Sequence, residues 1–98
     1  MADGQNEPCV VMPAGNIIAA ASRSLREKLQ GMVDSGAAEI VLDLSQVELI
    51  DSIGIGMLIG IQNALKAKNG RLKITHCSED IRKMLRLMRL DRHIDIAE

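Results

Sequence analysis

The sequence predicts a single α/β domain built on a largely parallel sheet. Apolar strand-like segments alternate with helix-like segments along the chain. Turn-forming clusters (residues 13–15, 34–36 and 69–70) fall between those segments and not inside them. The 98 residues are one domain's worth. A strand–helix repeat of this kind implies a layered fold with right-handed crossovers.

Residues 1–8 are polar, end in Pro8 and read as a flexible leader, with the domain over 9–98. Cys9-Val10-Val11-Met12 is a short strand, stopped by Pro13 and Gly15. Residues 20–34 form a helix in which Leu25, Leu29, Met32 and Val33 share one face. Gly36 is suited to its left-handed C-cap. Residues 40–44 are the clearest strand, and their nearly continuous apolar character points to cover on both faces. A helix over about 53–68 follows Asp51-Ser52 and ends at Asn69-Gly70, with Lys66 and Lys68 favouring the negative end of its dipole. Residues 72–76 are the next strand. Ser78 caps a helix over 79–89, whose inner face is Ile81, Leu85 and Met88. His93-Ile94-Asp95-Ile96 alternates as a last edge strand.

Phe, Tyr and Trp are absent, so Ile, Leu, Val, Met and Ala must make the core, and six Met lend it adaptability. Twelve basic against thirteen acidic residues give a net charge of −1, which excludes a general nucleic-acid binder. The missing aromatics also remove base-stacking platforms. Cys9 and Cys77 make no disulfide framework and read as buried thiols. The longest near-apolar run, residues 53–61, falls short of the roughly 20 residues that span a bilayer. The polar N-terminal opening is no signal peptide. The expectation is a cytoplasmic protein with no membrane insertion.

Catalysis finds little support. Asp43 ends a strand, but no Asp, Glu, His or Cys cluster with ligand spacing accompanies it, so no metal is expected. His76 and His93 are isolated, and no nucleophile–base–orienter set is visible. Gly54-x-Gly56 is no phosphate loop, because position 59 is Ile. The reading is a non-enzyme without a cofactor. Arg82, Lys83, Arg86, Arg89 and Arg92 make the third helix region basic. A solvated charged face is the ordinary account, and a docking patch for an acidic partner or membrane surface is the alternative.

Functional groups in such sheets gather at the carboxyl ends of the strands. Two loops, residues 14–19 and 45–52, should meet there. The second leads into Asp51-Ser52-Ile53-Gly54-Ile55-Gly56. Ser52 reads as the N-cap of the following helix. A helix N-terminus favours negative charge by roughly 0.3–1 kcal/mol, so a phosphate would be tolerated there. Gly54 and Gly56 leave the first turn bare, at up to about 1 kcal/mol each against Ala, and permit close approach by a partner. Taken alone, the hexapeptide is equally explained by an ordinary N-cap and tight helix packing.

Residues 40–45 (Ile-Val-Leu-Asp-Leu-Ser), followed by Leu49-Ile50-Asp51-Ser52-Ile53-Gly54-Ile55-Gly56-Met57-Leu58, resemble the STAS domain superfamily, especially its anti-sigma factor antagonists. Residues 70–74 and the helix 79–89 also look like family elements, and the similarity covers residues 9–96. The resemblance implies a four- or five-stranded mixed sheet with helices mainly on one face. It implies partner switching: the unmodified protein binds a serine kinase/anti-sigma factor, the kinase phosphorylates the motif serine, and a metal-dependent serine phosphatase reverses this. Ser52 matches the phosphoacceptor. Asp51, Ile53, Gly54, Ile55 and Gly56 around it, with Asn16 and Ile18 of the first loop, are the expected partner-binding residues, in a monomer or weak dimer. The alternative is a STAS accessory subunit of a membrane transport or lipid-trafficking complex. One departure stands out: Ile18 lies where relatives often carry Asp or Thr. An apolar side chain there should favour a kinase with a matching apolar contact. Ile18→Asp is expected to change the relative phosphorylation rates given by several kinases while leaving the circular dichroism spectrum intact; unchanged rates would refute this.

Overall fold

The computed structural model describes residues 8–97. The chain runs through β1 (Cys9–Val11), α1 (Ala19–Asp34), β2 (Glu39–Asp43), α2 (Ser52–Lys66), β3 (Arg71–Thr75), α3 (Glu79–Leu87), a 3-10 turn (Leu90–Arg92) and β4 (Asp95–Ile96). Each expected strand and helix is present, with ends displaced by a residue or two. The expected leader, apart from Pro8, lies outside the described residues.

The sheet order is β1-β2-β3-β4 and every pairing is parallel. The mixed sheet expected from the sequence is therefore corrected to an all-parallel one of four strands. The reason is connectivity. Each strand is joined to its neighbour by a helical crossover that returns the chain to the end where it started, which makes the neighbours parallel, whereas consecutive antiparallel neighbours are usually joined by a direct hairpin. None occurs among the described residues. Because neighbours are also filled in chain order, right-handed crossovers put the three helices on the same side.

Burial follows that one-sided cover. The register aligns Ile40 with Leu72 and Leu42 with Ile74, and all four side chains are fully buried. Between them Glu39, Val41, Asp43, Lys73 and Thr75 are only half-buried and Arg71 is exposed. Cover on both faces of residues 40–44 thus does not hold: Val41 sits on the open face. There Arg71 reaches Glu39 at 3.3 Å and Asp95 at 3.9 Å, exposed pairs that each contribute little.

The element ends show why the chain turns where it does. Gly36 takes φ +96° after α1, as expected of a left-handed C-cap. After α2 the duties are split between two residues. Asn69 adopts the left-handed conformation at φ +64°, while Gly70 is needed for space, since a Cβ there would lie 2.6 Å from the Ala38 carbonyl oxygen. Ser78 caps α3, accepting from the Ile81 N–H at 3.2 Å. That helix stops two residues earlier than expected. Arg89 turns left-handed at φ +60°, which carries Leu90 and Ile94 into the core and leaves Met88 49% exposed, so Met88 is not an inner-face residue. Gln62, buried in α2, accepts from the Leu72 N–H at 2.9 Å. It thereby satisfies a β3 donor that the two-residue β4 does not reach.

Candidate functional site

The loops leaving β1 and β2 are stitched together at the carboxyl edge of the sheet. Ile17 and Ile50 form an isolated parallel bridge. The Ile17 N–H donates to the Leu49 carbonyl at 3.0 Å, and the Asp51 N–H donates to the Ile17 carbonyl at 3.1 Å. The Asn16 carboxamide oxygen accepts from the backbone N–H groups of Glu48 at 2.9 Å and Leu49 at 3.0 Å. Asn16 therefore fixes one loop on the other, a structural task that the sequence reading did not give it.

Asp51 is the hinge of the arrangement. Its Oδ1 accepts from the Gly54 N–H at 2.8 Å, which makes it the N-cap of α2. Its Oδ2 accepts from the Ala19 N–H at 2.9 Å, the first residue of α1. The residue in the N-cap position of α1 is Ile18, whose side chain has no oxygen to offer. One carboxylate from the other loop thus serves both helix starts.

This corrects the reading of Ser52. It is the first residue of α2 and not its cap. It is exposed, and its hydroxyl makes no hydrogen bond to the described residues. With Asp51 capping, the hydroxyl is released for other chemistry at the positive end of a helix.

The neighbours divide by burial. Ile53 is 57% exposed, Ile18 36% and Leu49 54%, so three aliphatic side chains stand in solvent on the two joined loops and the first turn of α2. Leu49 was missed by the sequence reading. Its only signal was its place before Ile50 in a loop whose Val47 and Ile50 are buried. Ile55 is buried in the core and offers no surface to a partner in this conformation. The two glycines also differ. A Cβ on Gly54 would overlap the Ile17 carbonyl oxygen and lie 2.8 Å from Ile17 Cγ2, so Gly54 is a packing requirement of the loop junction and not an opening for a partner. A Cβ on Gly56 would meet nothing within 4 Å.

At the same edge, Asp43 Oδ1 accepts from the Ser45 N–H at 2.9 Å, and Oδ2 lies 3.5 Å from His76 Nδ1. The Ser45 N–H, helped by the Ser45 hydroxyl and a smaller His76 contribution, holds the Asp43 carboxyl below its ordinary 3.8 despite some desolvation. The stability this pairing adds is present at neutral pH and is lost as pH falls through that lowered value. Among the described residues no group of His, Cys, Asp and Glu is placed to hold a metal ion, and no helix is long and apolar enough to cross a membrane.

Fold and site together define a small all-parallel α/β domain that presents an exposed serine at the start of a capped helix, on a rigidly joined pair of loops. The chain belongs to the STAS domain family, whose model described as "Mlab, STAS domain" matches residues 1–97. It is 33% identical to the anti-sigma-B factor antagonist of Bacillus subtilis over 95% of this chain and 85% of that protein. Among solved structures it is similar to an anti-sigma factor antagonist of Thermotoga maritima, with TM-score 0.85 and 24% identity over 91% of this chain and 77% of that one. It is also similar to the antagonist SpoIIAA of Bacillus. The unphosphorylated form matches with TM-score 0.76 and 22% identity over 95% of this chain and 81% of that one. The phosphorylated form matches with TM-score 0.73 and 24% identity over 95% and 85%.

Two expectations follow from the geometry. Asp51→Ala should lower stability by about 1–2 kcal/mol, because it removes a cap from each of two helices. Adding Ile18→Asp to it should recover part of that loss by capping α1 locally. Urea unfolding of the three proteins decides the matter, and an unchanged midpoint for Asp51→Ala would refute the double cap. Gly54→Ala should destabilise by roughly 1–3 kcal/mol through overpacking, whereas Gly56→Ala should be neutral or stabilise by up to about 1 kcal/mol. Equal melting shifts for the two would contradict the assignment.

Proposed function

We propose that this chain is an anti-sigma factor antagonist that acts by partner switching in the cytoplasm and not as an enzyme. Unmodified, it binds a serine kinase/anti-sigma factor through the surface around Ser52. Phosphorylation of Ser52 releases the partner, and a metal-dependent serine phosphatase restores the binding form. The observation that carries this reading is Ser52 itself, exposed at the first position of α2 with an unengaged hydroxyl. The similarity to an anti-sigma-B factor antagonist over nearly the whole chain supports it. The binding surface is Ser52 with Ile53, Gly56, Ile18 and Leu49. Asp51, Asn16 and Gly54 hold that surface in shape, and Ile55 anchors it from the core.

The switch follows from charge. A phosphoryl group adds about −1.5 to −2 charges beside Asp51. Within the domain the N-terminus of α2 offsets part of the repulsion, so the fold should change little. Against a docked partner the same dianion sits among exposed Ile18, Leu49 and Ile53. An unpaired buried charge there costs several kcal/mol, and about 1.4 kcal/mol is already tenfold in affinity.

Ser52→Ala should therefore bind the kinase about as tightly as wild type and resist modification. Ser52→Asp should bind at least about tenfold more weakly. Calorimetric titration with the cognate serine kinase/anti-sigma factor, and mass spectrometry of wild type after incubation with that kinase and ATP, provide the test. If modification maps elsewhere, or Ser52→Asp binds like wild type, the switch reading falls. The accessory subunit of a membrane transport complex then takes its place.

A further inference from the structure

A groove of about 470 Å³ runs between α1 and α2, beginning at Ala19 and Ile53, next to Ser52. Its floor includes Gly56 and Gly60, one helical turn apart on the exposed side of α2. A Cβ on either glycine would meet nothing within 4 Å. The fold itself therefore does not require glycine at these positions, although each costs helix stability, up to about 1 kcal/mol against Ala. The rim on the α1 side carries Arg23 and Arg26, both exposed and neither in an ion pair among the described residues. The adjoining surface of α1 is lined by Arg26, Glu27, Gln30, Gly31 and Asp34, and past Gln30 its charge is that of Asp34.

We propose that this groove receives an acidic amphipathic helix of the partner that binds at Ser52. The inference rests on the switch reading and names what the partner brings. At Gly56 and Gly60 the absence of a side chain admits a helix backbone more closely than any other residue would. Ile53 and the rim supply apolar contact along one face of the incoming helix. The two unpaired arginines call for carboxylates, and bidentate pairing with them would fix the register. Because Arg23 and Arg26 lie on the groove toward the Ser52 end and Asp34 lies at the far end of α1, the partner's carboxylates must lie toward Ser52. The orientation is set by charge, since the reverse direction would bring like charges together. Phosphorylation then acts twice: it places a dianion at the mouth of the groove, and it repels the carboxylates that the arginines attract.

The test uses the full chain and the serine kinase of the preceding section, with three variants. Gly60→Leu fills the groove one turn beyond Gly56, away from Ser52. Arg23→Glu combined with Arg26→Glu reverses the rim. Lys28→Glu, on α1 but outside the groove, controls for a charge reversal elsewhere on the same helix. Gly60→Leu and the double reversal should each weaken binding about tenfold or more, with melting temperatures equal to or above wild type for Gly60→Leu. Lys28→Glu should change affinity less than about threefold. On complex formation, the methyl resonances of Ile53 and Met57 should shift more than those of Leu87 and Met88 on the opposite end of the domain. If wild type binds, Ser52→Asp does not, and both groove variants bind as wild type, the groove proposal is overturned while the switch stands. If the methyl shifts fall on α3 and spare α2, it is also overturned. Should wild type not bind the kinase at all, the switch reading fails and the groove's occupant with it.

Discussion

The Asp51 carboxylate is the constraint on which the site depends. Two helices begin within a few ångströms of each other at the carboxyl edge of the sheet, and each has N–H groups that its own turns cannot satisfy. α2 is capped locally, by the residue that precedes it. α1 is not, because Ile18 stands in its cap position. The second oxygen of Asp51 makes up the deficit at 2.9 Å from the Ala19 N–H. The same residue's own N–H is held by the Ile17 carbonyl. Both helix starts therefore move as one body, and the serine that follows Asp51 is displayed from a rigid platform. The Ser52 hydroxyl is not engaged in capping because its neighbour has taken over the cap.

That platform is possible because the sheet is filled in chain order. Parallel neighbours joined by helices place every strand-to-helix loop at the same edge, and successive loops side by side. The β1–α1 and β2–α2 loops are adjacent for that reason alone, and Asn16 and the Ile17–Ile50 bridge then join them. The same order puts the helices on one face. The other face keeps Val10 and Val41 beside a row of charged residues, in place of a second apolar layer. A domain built this way buries its apolar surface on one side and gathers its strand-to-helix loops at one edge.

The glycines show how differently one residue type can be used. Gly54 and Gly70 are forced by neighbours: the Ile17 backbone in one case and the Ala38 carbonyl in the other leave no room for a methyl group. Gly56 and Gly60 face open space. Nothing inside the domain requires glycine at either position. Ile18, Leu49 and Ile53 are likewise exposed at this edge, where aliphatic side chains gain nothing from water.

The sequence by itself determined the α/β class and the number and order of the elements. Periodicity and turn chemistry are local, and here they agree with the fold: Gly36 at a left-handed cap, Ser78 at the start of α3, and Leu29, Leu72 and Ile74 in the core. Only the tertiary structure decided that the sheet is wholly parallel, that Val41 lies on an open face, and that Asp51 and not Ser52 is the cap. It also decided which glycines are packed and which are bare. Each of these depends on a residue distant in the chain. The Asp51–Ala19 bond spans 32 positions, and the contact that forbids a side chain on Gly54 comes from Ile17. No window of neighbouring residues carries that information, because the close approach exists only once β1 and β2 lie side by side.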